Sequence, residues 1–156
     1  MFRLLTNKKE EFRNFGTGEV IPLEEVPDEA FSSKALGDGY AIKLLKGEIY
    51  APVSGKITLV FPTGHAYGIT TKTGIEVLLH LGIDTVELEG KGFSGKVKEG
   101  QMIQQGDLLT IMDLEFIEKS GRSAICPLVF TSGQTIELLR VHEKVDPKSE
   151  KIFRFI

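Results

Sequence analysis

Short runs of strand-forming residues, separated by turn residues, constrain the fold of this chain more than any other feature. Glycine recurs every few residues from Gly16 onward. The 17 glycines in 156 residues exceed the usual share of about 7%, which favours many turns over long helices. Runs of this spacing predict an all-β domain, an antiparallel sandwich or barrel. The runs cover residues 19–23, 40–45, 56–61, 66–71, 75–81, 95–97, 108–112, 128–130, 136–139 and 151–155.

One or two short helical turns are expected between the strands. Residues 27–31 carry acidic residues in a first turn, and residues 113–119 begin with a capping aspartate and end with lysine. Residues 1–15 are charged and lack strand alternation. We therefore expect a flexible tail or linker there, and a single domain over residues 16–156.

Composition argues against several classes of protein. The net charge of −3 gives no reason to expect nucleic acid as a partner. Cys126 is the only cysteine, so an intrachain disulfide is excluded and a reducing compartment is favoured. No run approaches the roughly 18 apolar residues of a transmembrane segment, and the first residues lack a signal-peptide pattern. A cytoplasmic protein is expected.

Two of the three histidines, His65 and His80, flank a predicted β-hairpin. The turn signal Thr-Lys-Thr-Gly at residues 71–74 lies midway between them. A two-residue loop at 72–73 would place the histidines opposite each other, with Cβ atoms about 5 Å apart. A loop at 73–74 would leave them diagonal and on the same face, whereas a three-residue loop would break the arrangement.

Alternation along the two strands predicts which side chains surround the histidines. The opposite face of the second strand is apolar and typical of a core, with Val77, Leu79 and Leu81. For either histidine alone, a buried and hydrogen-bonded core residue is the alternative interpretation. The shared face is expected to carry Thr63, His65, Tyr67, Leu78 and His80.

Several motifs along the chain together resemble a known family. In order, they are LEEVPDEAF, LGDGYAI, APVSGKI, FPTGHAYGI, GIEVLLHLGIDTVEL, GFSGKV and GDLLTIMDLEFI. From about Gly18 to its end, the chain resembles the glucose family of enzyme IIA domains of the bacterial phosphoenolpyruvate-dependent sugar phosphotransferase system. The resemblance implies a β-sandwich of the duplicated hybrid motif type.

The same resemblance implies a phosphoryl carrier, a phosphotransferase component for sugar uptake. It would accept phosphate from phosphohistidine on the carrier HPr and pass it to a cysteine of an enzyme IIB domain, in trans or in one polypeptide. By resemblance, His80 is phosphorylated, His65 is its partner, and Thr63 orients His65. Regulated permeases or kinases are further partners in this interpretation. The sugar stays open, because its choice belongs to the membrane component.

Transfer between proteins calls for a shallow depression with an apolar rim. Asp38 and Asp84 lie in matched motifs and are expected to add negative charge facing a basic surface of HPr. For each of them, a turn aspartate is the alternative. The expected rim residues flank the histidines in sequence and are Phe61, Tyr67, Leu78 and Leu81.

Other classes of function fit parts of the chain. Residues 52–57 and 97–107 are similar to the barrels that carry biotin or lipoate, yet no lysine has the required hairpin-tip setting. A phosphocarrier needs no cofactor, but zinc held by His65, His80 and a partner's carboxylate is a geometric alternative that would block phosphorylation. A non-catalytic regulatory binding module on the same fold is the remaining alternative.

Overall fold

The largest sheet of the computed structural model, which describes residues 10–156, is antiparallel and has eight strands. In chain order the strands are β1 (Gly18–Pro22), β2 (Asp38–Leu44), β3 (Glu48–Tyr50), β4 (Gly55–Val60), β5 (Ala66–Thr70), β6 (Glu76–His80), β7 (Phe93–Gly95), β8 (Met102–Ile103), β9 (Leu108–Met112), β10 (Ile125–Phe130), β11 (Ile136–Leu138), β12 (Lys144–Val145) and β13 (Phe153–Phe155). The large sheet has the order β12-β1-β2-β10-β6-β5-β4-β8, and smaller sheets are formed by β3-β9-β7 and β11-β13. The predicted all-β antiparallel sandwich is confirmed.

Two short α-helices connect the strands, as the sequence predicts. Helix α1 spans Glu29–Ser32 and helix α2 spans Leu114–Lys119. Each follows an aspartate N-cap, Asp28 or Asp113, whose carboxylate accepts a backbone N–H of the first turn at 2.9 or 3.1 Å. Within residues 10–156, no helix combines the length and apolar character needed to cross a membrane. Two 3-10 turns, Leu23–Glu25 and Thr85–Leu88, complete the connections.

The large sheet has apolar side chains on both faces. On one face, Val77, Leu79 and Leu81 of β6 and its extension are buried in the main core, as predicted. Helix α1 covers the other face and buries a second, smaller cluster there. The smaller cluster consists of Ile21, Leu23, Val26, Phe31, Ala41, Ile83 and Val129, with Leu78 packed against it. This second face also carries His80.

Residues 10–15 pack on the domain instead of forming a tail. Phe15 is fully buried in the main core. The Phe12 ring lies 5.6 Å from the ring of Phe130, measured between centroids, and in an edge-to-face arrangement. The tail expected over residues 1–15 is therefore wrong for residues 10–15, because apolar side chains there find a place in the core. Residues 1–9 lie outside the described residues.

Glu10 connects this N-terminal segment to the loop between β5 and β6. Its carboxylate accepts hydrogen bonds from the Thr73 N–H, at 3.0 Å, and from the Thr73 hydroxyl. The segment therefore contacts the hairpin at its loop, which is the end away from His80.

The hairpin of β5 and β6 has a register that differs by one residue from the prediction. Ala66, and not His65, lies opposite His80. The loop contains three residues, 72–74, and its last residue, Gly74, has a φ of +96°. A three-residue loop that ends in a left-handed glycine is a common hairpin connection. The predicted pairing of the two histidines is therefore wrong.

We predict that Phe12→Ala lowers the free energy of unfolding by about 2–3 kcal/mol, because a partly buried phenyl ring leaves the aromatic cluster. Urea unfolding followed by circular dichroism measures this change. Met102→Ala is the control, because the Met102 side chain is largely exposed and its loss should change stability by less than about 0.5 kcal/mol. Equal, small effects of both substitutions would show that Phe12 does not stabilise the domain.

Candidate functional site

Two imidazole rings meet where β6 ends and β5 begins. The ring centroids of His65 and His80 are 5.0 Å apart, and the ring planes are inclined by 79°. His80 is the last residue of β6, whereas His65 immediately precedes β5. Because His65 lies outside β5, the alternation of side chains along the strand does not determine which way its ring points. The rings therefore converge although the predicted strand pairing is wrong.

A tight turn before β5 places His65 beside His80. The Gly64 N–H donates to the Phe61 carbonyl at 2.7 Å, and the Phe61 N–H donates to the Ala66 carbonyl at 3.0 Å. Gly64 has a φ of +72°, in the left-handed region that glycine adopts without strain. This turn takes His65 out of the pleat of the sheet and toward the end of β6.

A backbone carbonyl determines which nitrogen of His80 carries the proton. Nδ1 of His80 lies 2.8 Å from the Gly82 carbonyl oxygen. A carbonyl only accepts, so Nδ1 is the protonated nitrogen and Nε2 of the neutral ring holds a lone pair. Gly82 has a φ of +84°, and a Cβ at this residue would lie 2.7 Å from the Ser123 carbonyl oxygen. Only glycine fits this position without displacement of the backbone.

His65 is held through its own Nδ1. This nitrogen is hydrogen-bonded to the Thr63 hydroxyl. The His65 side chain is nearly inaccessible, with 3% of the residue exposed. The hydroxyl can donate to this nitrogen or accept from it. When it donates, the proton of His65 lies on Nε2, which is then a hydrogen-bond donor.

Burial keeps both rings uncharged near pH 7. Burial, and then the neighbouring His80, lower the pKa of His65 to about 4. Burial also lowers the pKa of His80, although the Gly82 carbonyl and the negative charges of Asp28 and Asp84 act in the opposite direction. The pair is thus two neutral imidazoles, and one of them has its lone pair on Nε2.

Aromatic rings contact both imidazoles. The Phe61 ring lies 5.0 Å from the His65 ring at 90°, and the Phe31 ring lies 5.0 Å from the His80 ring at 58°. Phe61 and Leu78 are half-buried, so both can contribute to a rim around the pair. Sequence reasoning missed Phe31, because nothing in the sequence connects α1 with the histidine hairpin.

Tyr67 and Leu81 do not belong to the rim. Their exposed fractions are 1% and 0%, and both side chains are part of the main core. The register explains the placement of Tyr67, which lies opposite the buried Leu79. Leu81 lies on the apolar face that alternation along β6 predicts for the core. The expectation that these two residues line an exposed surface is therefore wrong.

The predicted aspartates have different surroundings. The Asp38 side chain is only 15% exposed and accepts hydrogen bonds from the N–H groups of Gly39 and Ile136, at 2.9 and 2.8 Å. The bond from Ile136 connects β2 with β11. Asp38 is thus a structural residue at the start of a strand, and not the turn aspartate of the alternative. Asp84 is exposed, and its charge acts on the His80 ring. Asp28 acts on the same ring from the N-cap of α1, and sequence reasoning missed it.

No further group in the described part of the chain completes a metal site. Across residues 10–156, no three or more His, Cys, Asp or Glu side chains are grouped so that they could hold a metal ion. Zinc at His65 and His80 would therefore need ligands from another molecule. The Cys126 thiol is fully buried, and burial raises its pKa to about 12, so it is no nucleophile at pH 7.

A comparison with protein families identifies the chain. The family model for the phosphoenolpyruvate-dependent sugar phosphotransferase system, EIIA 1, matches residues 10–136. The chain belongs to the EIIA 1 family. It is accordingly a phosphocarrier and a phosphotransferase component of that system. The match begins at residue 10, which agrees with the packing of residues 10–15 on the domain.

A solved structure supports the assignment of this EIIA domain. The structure of glucose permease IIA from Mycoplasma capricolum is similar with a TM-score of 0.87 and 40% sequence identity. The alignment covers 95% of this chain and 97% of that chain. The EIIA domain therefore shares the fold of that protein over almost its full length, beyond the part that the family model matches.

We predict that the His65 ring of the EIIA domain stays neutral until the pH approaches about 4. The unfolded chain binds this proton near pH 6.5, so the free energy of unfolding falls as the pH drops from about 6.5 to about 4. His65→Gln should reduce that slope by up to about 1.4 kcal/mol per pH unit. Urea unfolding at several pH values measures the slope, and an NMR titration midpoint of His65 near 6.5 would contradict the prediction.

Proposed function

We propose that the EIIA domain accepts a phosphoryl group on Nε2 of His80 from phosphohistidine of HPr and passes it to a cysteine of an enzyme IIB domain. The observation that carries this proposal is the hydrogen bond from His80 Nδ1 to the Gly82 carbonyl. It leaves the Nε2 lone pair beside a second neutral imidazole. As Nε2 bonds to phosphorus, the bond between phosphorus and the nitrogen of HPr breaks.

The surroundings of His80 favour this reaction electrostatically. Its ring gains positive charge when Nε2 forms a bond to phosphorus. The Gly82 carbonyl accepts from Nδ1–H, and the carboxylates of Asp28 and Asp84 also favour positive charge on the ring. These groups stabilise the phosphorylated ring without removing the lone pair from the free one.

His65 has the role of a hydrogen-bond donor in this proposal. The Thr63 hydroxyl donates to His65 Nδ1, so that Nε2–H of His65 donates to an oxygen of the transferring phosphoryl group. A pKa of about 4 keeps His65 from becoming an acid near pH 7. The neutral ring therefore stabilises negative charge on the phosphoryl oxygens without protonating the acid-labile nitrogen–phosphorus bond.

The surface around the pair suits a protein partner. Phe61 and Leu78 are half-buried, and Val86, two residues after Asp84, is 49% exposed. An apolar centre with negative charge from Asp28 and Asp84 is complementary to a basic face on a partner. We assign this surface to HPr and to the IIB domain in turn, and we propose that the reaction takes place in the cytoplasm. Regulated permeases or kinases stay predictions.

We predict that His80→Gln abolishes phosphate acceptance, because no nucleophilic nitrogen remains at this position. His65→Gln should still be phosphorylated, but should transfer the group to IIB roughly 100-fold more slowly, because a donor to the phosphoryl oxygens is lost. The assay mixes the domain with phosphoenolpyruvate, enzyme I and HPr, and measures an acid-labile, base-stable mass increase of one phosphate.

His142→Gln is the matched control, since His142 contacts Glu25 and lies outside the histidine pair. It should be labelled and should transfer like the wild type. Labelling of His80→Gln at the wild-type rate would refute the assignment of His80. An unlabelled wild-type domain would favour a non-catalytic binding module.

We predict that Thr63→Val slows transfer about tenfold, because His65 loses the partner that keeps its proton on Nε2. Thr63→Ser should restore the rate, since it keeps the hydroxyl. Rapid-quench measurements give the rate, and ¹⁵N NMR of the ring gives the tautomer of His65. Thr58→Val removes an exposed hydroxyl that is paired with Thr70, and it should change neither quantity. A wild-type tautomer in Thr63→Val would contradict the proposed role of Thr63.

A further inference from the structure

The segment that follows His80 is held in place by residues that come about 40 positions later in the chain. Ile83 forms an antiparallel bridge with Ser123, and its N–H donates to the Ser123 carbonyl at 3.1 Å. The same carbonyl leaves no room for a side chain at Gly82. The position of the Gly82 carbonyl, and hence the His80 tautomer, therefore depends on the residues next to Ser123.

Helix α2 fixes the backbone just before Ser123. The Gly121 N–H donates to the Glu118 carbonyl at 3.0 Å, and the Arg122 N–H donates to the Ile117 carbonyl at 3.1 Å. With a φ of +76° at Gly121, this is a Schellman motif, which ends a helix in a defined direction. Ile117 is fully buried, so the backbone of Arg122 is anchored to the core.

The Arg122 side chain connects this anchored backbone to the turn after His80. Its Nη2 contacts a carboxylate oxygen of Glu87, and Glu87 lies in the 3-10 turn Thr85–Leu88. Within the same segment, the Thr85 hydroxyl donates to the Leu81 carbonyl at 2.6 Å. Arg122 thus acts on the segment 82–88 from outside the hairpin.

Stability alone does not account for this arrangement. The Arg122 side chain is 30% exposed, yet its Nε is buried and makes no hydrogen bond to any of the residues 10–156. An unpaired buried N–H opposes folding, and an ion pair with a carboxylate that is 58% exposed contributes little. The ion pair between Arg122 and Glu87 is better explained by the position in which it holds the segment 82–88.

We propose that Arg122 is a positioning residue for phosphoryl transfer. By holding Glu87, it fixes the segment 82–88 and thereby keeps the Gly82 carbonyl within hydrogen-bond distance of His80 Nδ1 and the Asp84 carboxylate near the ring. Without the ion pair, the Gly82 carbonyl shifts, and part of the His80 rings carry the proton on Nε2, where it blocks attack on phosphorus. This inference rests on the function proposed above.

The first test measures transfer. Arg122→Gln and Glu87→Gln should each lower the rate of phosphorylation by phospho-HPr about threefold, and the double variant should be no slower than either, because both remove the same ion pair. Arg122→Lys should recover part of the rate, since lysine keeps the charge but not the planar fork. Arg154→Gln is the matched control: its exposed ion pair with Glu137 joins β13 to β11 and should leave the rate unchanged.

The second test reports on the ring without any phosphate donor. ¹⁵N NMR of the unphosphorylated domain should show only the Nδ1–H tautomer of His80 in the wild type and in Arg154→Gln, and a mixture in Arg122→Gln and Glu87→Gln. An unchanged tautomer in Glu87→Gln overturns the proposal, even if Arg122→Gln fails to fold. If the wild type is not phosphorylated, the proposed function is wrong. The comparison of the His80 tautomer between the wild type and the variants still tests whether Arg122 positions the Gly82 carbonyl.

Discussion

The hydrogen bond of 2.8 Å from His80 Nδ1 to the Gly82 carbonyl is the interaction on which the chemistry of the site depends. A backbone carbonyl cannot donate, so it selects one tautomer of the ring without adding a charge that itself titrates. The carbonyl can occupy this place only because Gly82 adopts a left-handed conformation under the Ser123 carbonyl. The tautomer of His80 therefore depends on the presence of glycine two residues later in the chain.

The fold supplies two conditions that work against each other. Burial makes the imidazoles neutral and keeps a lone pair available, whereas a phosphorylated ring needs nearby negative charge. The sheet provides the burial, because His65 is almost inaccessible and α1 covers the face that carries His80. The ends of short elements provide the charge, through Asp28 at the N-cap of α1 and Asp84 at the start of a 3-10 turn. Carboxylates at such ends stay hydrated, so they affect the ring without having to be buried with it.

Pattern reasoning recovers the strands with clear alternation and the two capped helices, because each follows from local sequence. It also brings the two histidines together, but for the wrong reason, since a turn before β5 and not strand pairing places His65 beside His80. It fails at the hairpin register, because the sequence Thr-Lys-Thr-Gly permits a loop of two or of three residues. A shift of the register by one residue moves Tyr67 from the predicted rim to the core. It misses β3, β8 and β12, which are only two or three residues long, because runs this short show too little periodicity. Phe31 is nearly 50 residues from His80 in the chain, and only the sheet order β2-β10-β6 explains why the two meet.

The contact between Glu10 and Thr73 has a consequence for how this domain can be joined to other sequences. Thr73 lies at the loop end of the hairpin, and strands advance about 3.3 Å per residue, so the ring of His80 is roughly 20 Å away. A polypeptide joined directly to residue 10 would therefore be attached at the loop end of the hairpin, away from His80. A docking protein can then reach the two imidazoles without displacing the attached polypeptide. An affinity tag or a fluorescent reporter is therefore best attached at residue 10.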